Sequence, residues 1–287
     1  MMNLTEKILR ILQPKERILK TIWRAEKDGT VNFLVGTAHF FPYHFRISLK
    51  KILRKTQRAL FEGPLDPPSM DQVVIQGSGG SGSLEIYKAL DARLIQEIKN
   101  KTGDLFADCS PFPPFLPPRE KKSDPLRDHF EKLSPWLAFF NIWTSYLKTK
   151  GWEGSVDLEA FELAKRMGRE IHFLETIEEQ VRVLEQIPLE RMIRFLKKVG
   201  HWDEYSDAYV QVYLRGALAD WMTGTNDFPS RCAPVIEERD KVFYERMQPF
   251  LQGGETAVFL GAPHLWGVNR MLENDGYLVK QLREDDE

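Results

Sequence analysis

The sequence predicts an α/β fold, with a central and mainly parallel sheet and a large helical insertion. Three observations lead to this prediction. Short β-rich apolar runs lie near both ends of the chain, amphipathic helical segments separate them, and most of the middle has helical periodicity. Because 287 residues suffice for one large domain, we predict a single domain over 1–287 with the helical insertion at about 85–255.

The first elements have the order strand, helix, strand. Residues 31–35 form an apolar run that ends at Gly36, and residues 59–62 form a second run that Gly63-Pro64 stops. Between them, residues 48–58 carry apolar side chains at helical spacing. This order is typical of a parallel α/β unit.

The middle of the chain is predicted to be mostly helical, with one strand over 171–174. Residues 136–147 are strongly apolar but too short to span a bilayer, which favours a buried helix over a partner-binding or membrane-surface face. Thr176 and Glu179 have the spacing of a capping box at a helix start. Helices are predicted over 89–99, 136–147, 156–167, 177–185, 188–199, 207–222 and 234–251.

Two segments lack a periodic pattern. Residues 76–83 (QGSGGSGS) suit a linker, an active-site loop or a phosphate-binding loop, although the Gly-Lys-Ser/Thr ending of the last is missing. Residues 111–118 (PFPPFLPP) are predicted to be an extended connector, or else a ligand for a proline-recognition domain. The α/β pattern then returns, with strands over 256–260 and 277–282 around a helix over 265–274.

The composition argues against several classes of protein. Lys and Arg number 40 and Asp and Glu number 42, so the near-neutral charge disfavours nucleic acid or an anionic membrane as a partner. Two cysteines are too few for a disulfide scaffold, a thiolate zinc site or an iron–sulfur cluster. Neither a signal peptide nor a membrane-spanning run is recognised, and we expect a cytoplasmic protein without stable membrane insertion.

One short motif occurs twice. Residues 33–39 (FLVGTAH) and 258–264 (VFLGAPH) each join an apolar strand to Gly-x-x-His. The glycine allows a sharp turn at the strand end, which carries the histidine over the edge of the sheet. Of six histidines, His39 and His264 are therefore the candidate functional residues.

Two other predicted strands end in an acidic residue, Glu62 and Glu175. Because ligand sites of parallel α/β sheets lie outside the carboxyl ends of the strands, these acids and the two histidines are expected to meet. Such a set suits a divalent metal such as Mn²⁺, Fe²⁺, Co²⁺ or Zn²⁺, and it equally suits acid–base catalysis without a metal. For Glu175 the alternative is an acid that stabilises a helix start.

The remaining histidines are predicted to play no part in this site. His44 lies in an aromatic loop (FFPYHF), and we interpret it as part of the loop packing. His129, His172 and His201 have no supporting sequence context and are assigned no role.

Several short segments of the chain accompany the paired motif. They are Gly36-Thr37-Ala38-His39, Glu62, Gly154-Ser155-Val156-Asp157, Leu174-Glu175-Thr176 with Gln180, and Gly261-Ala262-Pro263-His264-Leu265-Trp266-Gly267 followed by Leu272 and Gly276-Tyr277. Together they resemble the TraB/PrgY/GumN family over about residues 31–282. The resemblance implies a core built from two related halves, which agrees with the repeated motif. This family includes the Tiki proteins, which are divalent-metal-dependent proteases, and its fold is similar to that of erythromycin esterases and haem-binding ChaN-like proteins.

By position, the resemblance makes His39, Glu62 and His264 the first candidates for metal binding or catalysis. Asp157 and Glu175 are second candidates in the same cleft. Arg239 also matches a basic position of the family. It is predicted either to hold an anionic substrate group or an oxyanion, or to form an ion pair on a helix surface.

We therefore expect a metal-dependent hydrolase, most simply a peptidase, whose metal polarises the scissile carbonyl and activates water. Glu62 or Glu175, when not a ligand, accepts the water's proton. One alternative is an esterase-like hydrolase with His39 as general base and no metal. Another is a protein without enzymatic activity that binds peptide or haem in the same cleft. The expected partner is a peptide or a small-molecule substrate, and the oligomeric state is left open.

Overall fold

Six strands form the central sheet of the structure, a computed structural model that describes residues 15–79, 82–103, 124–217 and 227–283. Four neighbouring strands are parallel, and each of the two at one edge runs antiparallel to its inner neighbour. In sheet order the strands are β6 (Glu170–Phe173), β5 (Arg58–Phe61), β7 (Thr256–Gly261), β3 (Thr30–Thr37), β2 (Ile22–Lys27) and β8 (Leu278–Gln281). A separate parallel pair consists of β1 (Lys15–Glu16) and β4 (Tyr43–His44).

Helices connect these strands and dominate the described chain between β5 and β7, where β6 is embedded among them. In chain order they are α1 (Arg46–Arg54), α2 (Pro67–Gly77), α3 (Leu84–Lys88), α4 (Ala92–Thr102), α5 (Pro125–Lys132), α6 (Pro135–Thr149), α7 (Val156–Arg166), α8 (Ile177–Leu184), α9 (Leu189–Lys197), α10 (Trp202–Arg215), α11 (Glu237–Gln252) and α12 (His264–Asn274).

The two faces of the sheet pack against different helices. In β7, Ala257 and Phe259 belong to one hydrophobic core, whereas Val258 and Leu260 belong to the other. Successive side chains of a strand point to opposite faces, and burial of both sets is typical of a parallel sheet covered on both sides. Helices α11 and α12 cover the face of Val258, while α1 and α7 contribute to the core on the other face.

The α/β fold predicted from the sequence is confirmed, and each predicted strand is present as β3, β5, β6, β7 or β8. Strand β2 was missed. It forms a hairpin with β3 through Asp28 and Gly29, which have φ values of 50° and 80°. Two-residue hairpin turns with positive φ favour Asp-Gly, so this dipeptide was an available sequence signal. Helix α2 was also missed, although Asp66 caps it and Pro67 begins it.

The apolar segment 136–147 lies within α6 and is buried, as predicted. Trp143 on this helix packs edge-to-face against Phe195 of α9 and Trp202 of α10. This aromatic packing ties the helices of the middle region together. Within the described ranges, no helix is long and apolar enough to cross a membrane.

Some sequence predictions fall outside the described residues. The Pro-rich segment 111–118 lies outside them, as do residues 80 and 81 of the Gly/Ser segment. The helix predicted over 207–222 is described only in part, and it begins earlier than predicted, at Trp202.

Candidate functional site

The carboxyl ends of four neighbouring parallel strands hold the residues singled out in the sequence. In sheet order, Glu175 follows β6, Glu62 follows β5, His264 follows β7 and His39 follows β3. The strands come in a different order along the chain, so the sheet topology is what makes these residues neighbours. Such an edge is where α/β proteins commonly bind their ligands.

His39 lies at the open mouth of the site and pairs with Asp157. Its Nδ1 contacts the Asp157 carboxylate, while 68% of the His39 side chain is exposed. Asp157 is buried in the first turn of α7, where its Oδ1 also accepts a hydrogen bond from Ser155 Oγ at 2.5 Å. An imidazole held through Nδ1 keeps Nε2 for proton transfer.

The His39–Asp157 pair shifts the protonation of both partners. The negative charge of Asp157 raises the pKa of His39 to about 9. Burial favours the neutral form of Asp157, but the charge of His39 and the hydrogen bond outweigh it and lower the pKa of Asp157. The pair therefore favours an imidazolium next to a carboxylate.

Glu62 lines a narrow cleft together with His39. Its Oε1 accepts a hydrogen bond from the backbone N–H of Gly261 at 2.6 Å, and its Oε2 accepts one from Arg239 Nη2 at 2.9 Å. Burial disfavours the charge of Glu62, but the guanidinium of Arg239 and the neighbouring imidazoles outweigh burial and lower its pKa to about 2. Glu62 is therefore ionised at neutral pH.

Arg239 lies in a cluster of buried charged groups. Its Nη2 donates to Glu175 Oε1 at 2.5 Å and to Glu62 Oε2, and its Nε donates to Glu175 Oε2 at 3.1 Å. The guanidinium carbon also lies 4.8 Å from the centroid of the Phe243 ring. The Arg239 side chain is 10% exposed, so its ion pairs are buried and do not lie on a helix surface.

Charge compensation in this cluster is uneven. Burial disfavours the charge of Arg239, yet the carboxylates of Glu62 and Glu175 raise its pKa. For Glu175, burial is the stronger influence and raises the pKa, with Arg239 offsetting it in part. The pKa of Glu62 is therefore lowered and that of Glu175 is raised, so Glu175 accepts a proton more readily than Glu62.

His264 is buried and pairs with Asp240, the residue after Arg239. His264 Nδ1 lies 2.7 Å from Asp240 Oδ1, and His264 Nε2 lies 3.3 Å from Arg239 Nη1. Because a guanidinium only donates, His264 Nε2 accepts, and Nδ1 carries the proton that faces Asp240. Burial raises the pKa of Asp240. Gly267 allows this packing, since a Cβ there would overlap the Asp240 carboxylate.

A narrow cleft lies between His39 and Glu62. Its free volume is about 20 Å³, enough for a single water molecule. The sequence-predicted residues His39, Glu62 and Asp157 share this cleft with Gln180, which the family resemblance had singled out without a role. The full lining is Thr37, His39, Phe61, Glu62, Gly63, Leu65, Asp157, Gln180 and Phe259.

The predicted metal ligands do not fit a metal ion in this arrangement. In the part of the chain that the structure describes, no group of three or more His, Cys, Asp or Glu side chains is placed to hold one. Glu62 Oε1 lies 3.7 Å from His264 Nε2, but both residues contact the Arg239 guanidinium. His39, the third predicted ligand, contacts Asp157 instead.

The structure thus divides the predicted residues into two groups. Glu62, Glu175 and His264 surround Arg239. His39 and Asp157 form a pair across the cleft from Glu62.

The other four histidines make contacts away from this cleft. His44 pairs with Glu159 at 2.8 Å within the packed loop, and His129 Nε2 lies 3.1 Å from the backbone oxygen of Ala138. His172 and His201 pair with Glu170 and Glu204.

Asp240 is the site residue that sequence reasoning missed. Its counterpart in the first repeat, Asp157, occupies the first turn of α7, and Asp240 occupies the first turn of α11. Each therefore presents a carboxylate from a helix start to the Nδ1 atom of a Gly-x-x-His histidine. A search for a second helix-start aspartate to match the second motif would have found it.

Comparison with known protein families gives a match over nearly the whole chain. The TraB/PrgY/gumN family model matches residues 21–281, nearly the whole chain. Neither the comparison with curated proteins nor the comparison with solved structures produced a match. Because the family match covers both Gly-x-x-His motifs and the elements between them, the chain belongs to the TraB/PrgY/gumN family.

Proposed function

We propose that the protein is a hydrolase in which His39, in the molecules where its imidazole is neutral, acts as general base on a water molecule. The observation that supports this most strongly is the His39–Asp157 pair, in which a buried carboxylate holds an exposed imidazole at the mouth of a cleft. Such a carboxylate fixes the tautomer and stabilises the imidazolium that forms when Nε2 takes a proton.

Glu62 supports the same reaction from the other side of the cleft. It is ionised, and contacts with Gly261 and Arg239 fix its orientation. Its charge stabilises the imidazolium of His39, and its carboxylate accepts a hydrogen bond from the attacking water. The water oxygen bonds to the substrate's carbonyl carbon as its proton passes to His39 Nε2. The bond between that carbon and the leaving nitrogen or oxygen then breaks, and the imidazolium gives its proton to the leaving group.

The substrate that we propose is a peptide, with a small ester as the alternative. Both offer a carbonyl carbon to the activated water, and both release a group, amine or alcohol, that takes a proton from His39. We also propose a cytoplasmic location, because the chain has two cysteines and reducing compartments disfavour disulfides.

A metal-dependent peptidase is the second candidate function. The observation in its favour is the 3.7 Å separation of Glu62 Oε1 and His264 Nε2 at the same sheet edge as His39. For these residues to bind a divalent ion such as Mn²⁺, Fe²⁺, Co²⁺ or Zn²⁺, Arg239 must move away from both of them.

The test is a hydrolysis screen of the purified chain with peptide and ester libraries. Each substrate is assayed before and after exhaustive chelation, and then with each divalent metal added back. Activity that survives chelation and disappears in His39→Ala supports the first candidate. Activity that chelation removes and a metal restores supports the second.

The screen also addresses a role in binding alone. If no library member is hydrolysed and the His39→Ala chain binds peptide or haem as tightly as the parent chain, the hydrolase proposal is wrong. A sequestering protein that uses the same cleft is then the better description.

A further inference from the structure

The cluster around Arg239 has the donor groups of a metal site, but a guanidinium lies among them. Glu62 and Glu175 oxygens and the His264 Nε2 atom lie between 2.5 and 3.3 Å from guanidinium nitrogens. Carboxylate oxygens and imidazole nitrogens are common ligands of zinc and manganese. The Asp240–His264 hydrogen bond has the form that usually orients a metal-bound histidine.

The two carboxylates of the cluster favour a positively charged partner. Glu175 is buried and Glu62 largely so, with 3% and 12% of their side chains exposed, and both contact Arg239. A buried carboxylate without a positive partner is costly, so a cation bound between these two is strongly favoured. The guanidinium meets this need through bonds to both carboxylates and through its contact with the Phe243 ring.

We propose that Arg239 is a built-in cation that takes the place of a divalent metal ion in the cage formed by Glu62, Glu175 and His264. In the native chain the guanidinium closes this cage to metal. The three side chains are spread around the guanidinium and are not placed for a metal ion while it is present. When the guanidinium is removed, they close on one divalent ion. This departs from the metal site that the family resemblance implies and is incompatible with the metal-dependent candidate above. It does not depend on the metal-free reaction proposed for His39.

A guanidinium and a metal ion cannot share these donors. Metal–oxygen bonds of zinc sites are about 2.0–2.2 Å long, so an ion must lie directly between its ligands. Arg239 Nη2 already lies between Glu62 Oε2 and Glu175 Oε1, and Nη1 faces His264 Nε2. Binding of a metal to these atoms therefore requires that the guanidinium leave.

The test is metal uptake by the full chain, measured by equilibrium dialysis against Mn²⁺, Co²⁺ or Zn²⁺ followed by elemental analysis. We compare the parent chain, Arg239→Ala and Arg246→Ala. Arg246 is a matched control because it lies on the same helix and pairs with Glu179, but with 43% of its side chain exposed. We expect about one equivalent of metal in Arg239→Ala and no stoichiometric metal in the other two.

The same donors must account for any metal that is gained. In the Arg239→Ala background, Glu175→Gln removes a ligand and should abolish uptake. Asp240→Asn removes the partner of His264 and should weaken metal affinity about 10- to 100-fold. Co²⁺ adds a spectroscopic readout, since its visible absorption reports the ligands and their geometry.

Two outcomes overturn the proposal. One is a parent chain that retains about one equivalent of metal and loses it in Glu62→Gln or His264→Ala. The other is a folded Arg239→Ala chain that gains no metal. If Arg239→Ala folds only with an added cation, Mn²⁺ or Zn²⁺ should restore its cooperative thermal transition, and failure of both metals to do so also contradicts the proposal. None of these readouts depends on hydrolysis, so they are independent of the proposed function.

Discussion

The two Gly-x-x-His motifs end in two histidine–aspartate pairs that share a geometry and differ in their surroundings. In each pair, the histidine Nδ1 contacts an aspartate from the first turn of a helix. The side chain of His39 is 68% exposed, whereas that of His264 is 5% exposed and faces Arg239. The comparison indicates that both motifs place their histidine beside an aspartate, while the surroundings decide whether the imidazole is exposed or is buried in a charge cluster.

Replacing the two histidines should have opposite consequences. His39→Ala removes the general base and should lower kcat/KM about 10²- to 10⁴-fold with little change in Tm. His264→Ala leaves the Asp240 carboxylate and the Nη1 atom of Arg239 without their hydrogen-bond partner and should lower the free energy of unfolding by about 2–4 kcal/mol. Steady-state kinetics and thermal denaturation of both variants measure this. A His39→Ala chain that is as active as the parent would show that His39 is not the base.

The buried cluster should be far more sensitive than an exposed pair of the same kind. Glu175→Gln breaks a buried ion pair with Arg239 and should cost about 3 kcal/mol of stability. Glu179→Gln breaks the exposed pair with Arg246 and should cost at most about 1 kcal/mol. Denaturant titrations of the two variants measure their free energies of unfolding. Equal costs would mean that burial of the Arg239 cluster does not strengthen its ion pairs.

The close approach of α12 to Asp240 can be tested at Gly267. Gly267→Ala places a Cβ against the Asp240 carboxylate and should destabilise the chain by about 1–3 kcal/mol, because the carboxylate that holds His264 is displaced. The control is Gly200→Ala, where the new Cβ would meet only the flexible end of Glu97. If the two substitutions cost the same in thermal denaturation, the packing at Asp240 is not tight.

The pH dependence of hydrolysis should report the exposed pair. His39 accepts a proton only when neutral, so kcat/KM should rise with pH and level off above the pKa of His39, which Asp157 raises to about 9. Because the imidazole is largely exposed, water screens this attraction, and we expect the inflection between 6.5 and 9.

Asp157→Asn removes the charge and should move the inflection toward 6.5. The same raised pKa stabilises the folded chain below pH 6.5, and this contribution is lost as the pH rises through the folded-state pKa. If the inflection in kcat/KM does not move in Asp157→Asn, the group that titrates is not His39 paired with Asp157.

Local sequence patterns predicted the parallel strands well because each is an apolar run between turn residues. Strands β3, β5, β6 and β7 all lie where the pattern placed them. Strand β2 was missed because arginine, glutamate and lysine interrupt its apolar residues, and the decisive clue was the Asp28-Gly29 turn. Helix α2 was missed because much of its surface is exposed, so no apolar stripe marks it.

The sequence predicted most residues of the candidate site but not the contacts between them. Sequence reasoning named His39, Glu62, Glu175 and His264 as neighbours, because parallel strands end at one edge of the sheet. It did not place Arg239 among the acids, and it missed Asp240. Both residues lie on α11, and only the packing of that helix against the sheet brings them to the strand ends.

The sequence by itself determined the α/β class, the family and the two Gly-x-x-His motifs, since these depend on local residue patterns. The tertiary structure alone decided that His39 faces solvent while His264 is buried beside Arg239. The physical reason is that exposure and charge pairing depend on which distant segments pack around a side chain. Two matching Gly-x-x-His motifs therefore acquire different surroundings, because one histidine is exposed at the cleft and the other is buried beside Arg239.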